Sequence, residues 1–212
     1  MILLEQLNPL QIAFIIAAPA AVILLVLIFI LGPMRRRRHK KHFMEYCYKA
    51  IYRIAFDEDY YLINDFYFRV DTSHVAKIDH ILFGEKYIYI ISDTYFDGDL
   101  SGQDTDKSLI ITNRKGQKFY TDNLYNSSQL LINYLSTSTG IDKSLFIGVA
   151  LVNNECKLSV ISNSKSLYLI QRNKLKKLVK AIESRQVGKI NAQQLDNAVK
   201  AIDKLNRKKR HK

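Results

Sequence analysis

Tryptophan is absent from this 212-residue chain, and the residues that break or cross-link structure are few: three Pro, eight Gly and two Cys. So little Gly and Pro excludes a collagenous or low-complexity chain. Cys47 and Cys156 lie too far apart in sequence to read as a disulfide framework or a zinc site. Neither G-x-x-x-x-G-K-[ST] nor G-x-G-x-x-G occurs, so no nucleotide cofactor is indicated. What is present is apolar and aromatic. A hydrophobic fraction of 48%, with 13 Tyr and 10 Phe, excludes a disordered chain.

Acidic charge is scarce at the ends of the chain but not in its middle. The formal charge is +12, and 12 of the 32 Lys and Arg sit in two short runs, Arg35 to His42 and Asp203 to Lys212. The 160 residues between them, Phe43 to Ile202, carry 20 basic and 18 acidic side chains and net only +2. A nucleic-acid-binding surface spread over a globule is therefore not what the total charge describes.

From Ile12 to Leu31 there are 20 consecutive residues without a charge or strongly polar group. At about 1.5 Å per helical residue, such a run spans roughly the 30 Å of a bilayer core. A cleaved signal peptide would have a basic start and small residues at its end. Here the start carries Glu5, and the small residues Ala17, Ala18, Ala20 and Ala21 precede the most apolar part. The sequence thus predicts an uncleaved transmembrane helix over 12–32. Arg35, Arg36, Arg37 and Arg38 follow it and no Lys or Arg precedes it, so the positive-inside rule places the rest of the chain in the cytoplasm. The expectation is a single-pass cell-membrane protein with residues 1–11 outside. The basic segment 33–42 is expected to contact anionic headgroups. A cytoplasmic body also suits two unpaired thiols.

Beyond the basic segment, Phe43, Cys47, Ala50, Ile51 and Ile54 recur at helical spacing and predict a helix from about His39 to Phe56. Strands are expected at Tyr61–Val70, Val75–Phe83 and Tyr87–Ser92, then at Leu109–Thr112 and Lys118–Thr121 as a hairpin around Arg114–Gln117. A helix over Asn123–Leu135 precedes an apolar strand, Ser144–Val152, of the continuous buried type. Short strands at Lys157–Ile161 and Leu167–Gln171 lead to helices near Lys174–Ser184 and Ala192–Asn206.

Leu62-Ile63-Asn64-Asp65, Ile78-Asp79-His80-Ile81-Leu82 and Gly98-Asp99-Leu100-Ser101-Gly102 resemble motifs of the NERD family, the nuclease-related domains. The resemblance runs from about His42 to Val152. It implies an α/β fold in which the membrane helix is followed by a restriction-endonuclease-like mixed sheet flanked by helices. The implied organisation is a nuclease-related domain over 43–172, C-terminal helices over 173–206 and a basic tail over 207–212.

That family is similar to PD-(D/E)xK endonucleases, in which acids on adjacent strands hold Mg²⁺ and a Lys two residues after the second acid assists the attacking water. Carried over position by position, the first acid is Asp79 and the helix Glu is Glu45. The second acid falls on Ser92 and the Lys on Thr94, which supply neither carboxylate nor positive charge. Asp93 serves as the second metal ligand beside Asp79 only if the backbone has an irregularity, because adjacent strand residues face opposite ways. The resemblance also matches Asn123 to the start of the family's "NP..Q" helix.

Other groupings yield less. His74 and His80 would stand about 20 Å apart on an extended strand, which excludes a shared site. Asp93, Asp97, Asp99, Asp104 and Asp106 lack the spacing of a calcium loop and read as a solvated turn. Cys47 falls on an apolar helix face. Arg207, Lys208, Lys209 and Arg210 suit either lipid headgroups or nucleic-acid phosphates. Three functions stay open. The first is a catalytically degenerate module that binds DNA or RNA, or scaffolds, at a membrane. The second is an active Mg²⁺-dependent nuclease using Asp79, Asp93 and Glu45. The third is a structural partner in a membrane protein complex.

Overall fold

The computed structural model describes residues 37–70 and 74–206, with isolated positions between Ala17 and Met34. Two compact units divide the chain, residues 1–43 and 44–212. In the first, Ala17, Pro19, Ala21, Val22, Leu24, Val26 and Met34 are helical and exposed, and residues 37–41 form a helical turn. The predicted span over 12–32 lies largely outside the described residues. Among those described, no helix is long and apolar enough to cross a membrane. The basic tail from residue 207 onward also lies outside them.

The second unit contains nine strands and four α-helices among its described residues. Helix α1 (Phe43–Asp57) leads to β1 (Tyr61–Arg69), β2 (Val75–Phe83) and β3 (Ile88–Thr94), then to β4 (Asp99–Gln103), β5 (Ser108–Thr112) and β6 (Lys118–Asp122). Helix α2 (Leu124–Thr139) precedes β7 (Phe146–Val152), β8 (Leu158–Ile161) and β9 (Leu167–Gln171), and α3 (Leu175–Glu183) and α4 (Ala192–Leu205) follow. Two mixed sheets replace the single sheet expected from sequence: five strands ordered β1-β2-β3-β7-β9 and four ordered β6-β5-β4-β8. The acidic stretch read as one solvated turn contains strand β4.

Local chemistry explains where the elements begin and end. Asn123 caps α2 by accepting from Tyr125 N, and Gly140 closes that helix at φ 72. Asn123 also donates through Nδ2 to the backbone oxygens of Gln103, Asp104 and Asp106, so one side chain ties the β4–β5 turn to the helix start. Helix α4 opens with a capping box made by Asn191 and Gln194. Two apolar clusters hold the sheets. One packs Ile81, Phe83, Ile88 and Ile90 under Ile132 and Leu135 of α2 and Ala198 and Ile202 of α4. The other joins the two sheets through Leu100, Leu109, Ala150, Val152 and Cys156. Cys156, between β7 and β8, is fully buried.

One irregularity matters for function. Phe66, Phe68 and Ile78 share a core cluster with Ile63 and Ile81. In regular strands, residues three apart face opposite sides of a sheet. Alternation is therefore broken in β1 between Ile63 and Phe66, and in β2 between Ile78 and Ile81. The break centres on Asp65, whose φ is 52. Asn64 pairs with His80 and Phe66 with Ile78 across it. Its effect is to turn Asn64, Asp65, Lys77, Asp79 and His80 all away from the α2–α4 core.

Candidate functional site

On that other face, the polar residues of β1 and β2 meet Asp93 of β3. The β2–β3 ladder ends at His80 opposite Ile91. Where the strands part, Asp79 Oδ2 accepts from the backbone N of Asp93 at 2.9 Å and takes the place of a ladder bond. Asp79 Oδ1 pairs with Lys77 Nζ at 2.9 Å, and the same ammonium pairs with Asp65 Oδ1 at 2.9 Å. Burial would lower the pKa of Lys77, but its bonds to Asp79 and Asp65 outweigh it, and the group is held well above the usual lysine range.

Asp93 is turned inward. Its side chain has no exposed surface, and Oδ2 lies 2.9 Å from His80 Nε2. His80 Nδ1 in turn meets Asn64 Oδ1 at 2.6 Å. The Cys47 thiol of α1 lies beside the Asp93 carboxyl, fully buried, and burial and the acid together push it up. A thiol is a weak donor. Asp93 Oδ1 has no hydrogen-bond partner, the one such buried side-chain atom among the described residues. Burial raises the pKa of Asp93, and its hydrogen bond to His80 opposes the rise.

The expected site residues are thus partly assembled. Asp79 and Asp93 come together, and the irregularity that lets them do so sits in β1 and β2 rather than in β3. Ser92 and Thr94 alternate with Asp93 and face the other way, paired with Ala150 and Val152. Two residues beyond Asp93, where the family's Lys would follow this acid, stands Tyr95. Glu45 is exposed and pairs with Lys49 at 2.6 Å on the same helix. His74 stands apart from His80 near the start of β2. Sequence reasoning missed the Asn64–His80–Asp93–Cys47 chain. Its only signal was the unusual density of polar residues within two otherwise apolar strands.

Mg²⁺ takes near-octahedral oxygen ligands at close range and needs free carboxylate oxygens. Here three of the four oxygens of Asp79 and Asp93 are engaged by Lys77, by a backbone N–H and by His80. The fourth is buried beside a thiol. This donor set does not fit the ion. Among the described residues, no group of three or more His, Cys, Asp or Glu is placed to hold a metal.

Residues 40–152 match the nuclease-related domain, NERD, which is just over half of the chain. The chain belongs to the NERD family. It is a nuclease-like module in which the match includes α1, the β2–β3 hairpin, the second sheet up to β6, α2 and β7. No curated protein matches. A solved structure, described as a protein of unknown function, AF1548, is similar at 9% identity and a TM-score of 0.30, over 74% of this chain and 78% of that one.

Proposed function

We propose that this NERD chain is a catalytically silent nuclease-related module. Residues 12–32 tether it to a membrane with the domain on the cytoplasmic side, and it binds DNA or RNA there without cutting it. The observation that carries the silence is Asp93: its carboxyl is sequestered and committed to His80. A nuclease centre needs acids open to a cation and a substrate phosphate, and a lysine free to act. Lys77 is the nearest ammonium, but it is spent neutralising Asp79 and Asp65. The tether reading rests on the apolar run and the four arginines after it. The nucleic-acid reading rests on family membership and on the basic tail.

The rival reading is an Mg²⁺-dependent nuclease using Asp79 with Asp93 and Glu45. One observation favours it: the β1–β2 irregularity brings Asp79 and Asp93 to one face. A cleavage assay decides between the two. The full chain in nanodiscs is incubated with single- and double-stranded DNA and RNA in Mg²⁺, beside Asp79→Ala. Silence predicts no cleavage by either protein. Cleavage lost in Asp79→Ala would establish the enzyme. Binding that weakens steeply with salt, and several-fold more on deleting residues 207–212, supports the nucleic-acid reading. No binding at low salt leaves a scaffold in a membrane protein complex.

A further inference from the structure

Strand β6 ends the four-stranded sheet, and its outer edge is bare. It pairs with β5 alone, in an unbroken register from Ser108 opposite Asp122 to Thr112 opposite Lys118. Asn113 N donates to Gln117 O at the turn, so by alternation Phe119 and Thr121 turn their backbone groups toward β5. The N–H and C=O groups of Lys118, Tyr120 and Asp122 therefore point outward. Tyr120 is 79% exposed and Phe119 52%. The outer edge of β1, in the other sheet, is treated differently. There Asn206 Oδ1 accepts from Tyr67 N, and the Tyr134 hydroxyl donates to the carbonyls of Arg69 and Val70. An exposed edge with neither proline nor a bulge is a template for another strand.

The side chains indicate which strand. β6 reads Lys-Phe-Tyr-Thr-Asp, with its two charges at its two ends. Laid antiparallel against a second copy and centred on Tyr120, Lys118 of each copy falls opposite Asp122 of the other. The same register sets Phe119 opposite Thr121 and Tyr120 opposite itself. Lys118, Tyr120 and Asp122 then exchange both backbone bonds across the seam. Sliding the pair by two residues either way puts a charge against Tyr120 and breaks the match. Opposite charges directly across an antiparallel pair stabilise it, and like charges there destabilise it. Neither Lys118 nor Asp122 has an ion-pair partner among the described residues to give up.

We infer that β6 is a homodimer seam, in which two copies pair β6 with β6 across a twofold axis and join their four-stranded sheets into one. Such a seam is isologous and closes at two copies. Two other occupants suit the edge less well. Strand β8, at the far edge of the same sheet, reads Leu-Ser-Val-Ile and offers neither charge a counterpart. An unrelated extended peptide would take the backbone bonds, but the end-to-end charge match is a property of this strand with itself. A five-residue strand pair buries little surface, so the dimer is weak, with a Kd on the order of micromolar. The seam lies on a different sheet from Asp79 and Asp93, and the inference stands apart from the proposed function.

Sedimentation of the full chain in density-matched detergent, from low to high micromolar concentration, should show a reversible monomer–dimer equilibrium. Lys118→Asp or Asp122→Lys alone sets like charges across the seam and should raise Kd about tenfold. The two together restore the match and should return Kd to within about threefold of its starting value. Both side chains are exposed, so these variants leave the core undisturbed. Register is read by cross-linking. Tyr120→Cys sets two thiols directly opposite, with Cα atoms about 5.5 Å apart, and should form a disulfide on mild oxidation. Thr121→Cys, whose counterpart is off register, should not. Native Cys47 and Cys156 are 0% exposed and do not take part. A chain monomeric at every concentration overturns the seam. So does a dimer that both charge reversals leave intact, since it forms through another surface. Open assemblies larger than a dimer would pair β6 with β8 of the next copy and overturn the twofold arrangement.

Discussion

The β2–β3 hairpin holds a carboxylate at each end, one half-buried and one with a fully buried side chain, and their surroundings differ. At the closed end, Glu183 of α3 accepts from Tyr89 OH at 2.7 Å through Oε1 and from Lys86 N at 3.0 Å through Oε2. Lys86 Nζ donates to Arg185 O at 2.6 Å, and Arg185 in turn donates to the Tyr168 hydroxyl. Every acceptor there has a donor. At the open end, Asp93 has one oxygen on His80 and the other beside nothing stronger than the Cys47 thiol. Buried polar groups are normally satisfied, and an orphan calls for a reason. Glu183 reads as a structural latch. Asp93 instead sits between His80 and the Cys47 thiol, beside Asp79 and its Lys77 ion pair.

The largest effect that would sharpen this contrast is expected at the latch. Glu183→Ala strands the Tyr89 hydroxyl and the Lys86 N–H and should cost about 2–4 kcal/mol in chemical denaturation. A loss below about 1 kcal/mol would remove the distinction between the two ends. Next comes Gly84→Ala. A Cβ there collides with Glu183 Oε1, so the substitution should cost about 1–2 kcal/mol, and less once Glu183 is already Ala. Full additivity would place the clash elsewhere.

The smallest change in stability is expected at Asp93 itself. Asp93→Asn should alter stability at neutral pH by no more than about 1 kcal/mol, because it removes a charge that burial penalises. Its signature is in pH. Burial raises both Asp93 and Glu183, so each holds its proton more tightly in the folded state. Their contributions are fully present below the ordinary values of 3.8 and 4.5 and fall as pH rises through the raised folded values. Asp93→Asn should flatten its share of that decline. An unchanged pH profile would mean that Asp93 titrates normally.

Much of the second unit was legible in sequence. The strands from Tyr61, Val75 and Leu167 and the helices near Leu124, Leu175 and Ala192 fall within a few residues of their expected positions, because apolar periodicity and turn chemistry act locally. The second sheet was not legible as a separate layer. Strand β4 is only five residues, with Ser101, Gly102 and Gln103 in it, and its partners β5 and β8 are distant in sequence. The site was half legible. Asp79 and Asp93 were named, but whether they shared a face depended on the conformation of Asp65, and no residue pattern announces a left-handed Asp in a strand. The engagement of both acids by Lys77 and His80 is a tertiary fact that no one-dimensional spacing carries.

The proposed silence requires that Asp79 and Asp93 be closed to a divalent cation. Its most direct test is the binding of Mn²⁺, as a paramagnetic stand-in for Mg²⁺, to the full chain by water-proton relaxation, beside Asp79→Asn and Asp93→Asn. The account predicts only weak, nonsaturating binding that neither substitution changes. A saturable one-to-one site abolished by both substitutions would contradict it.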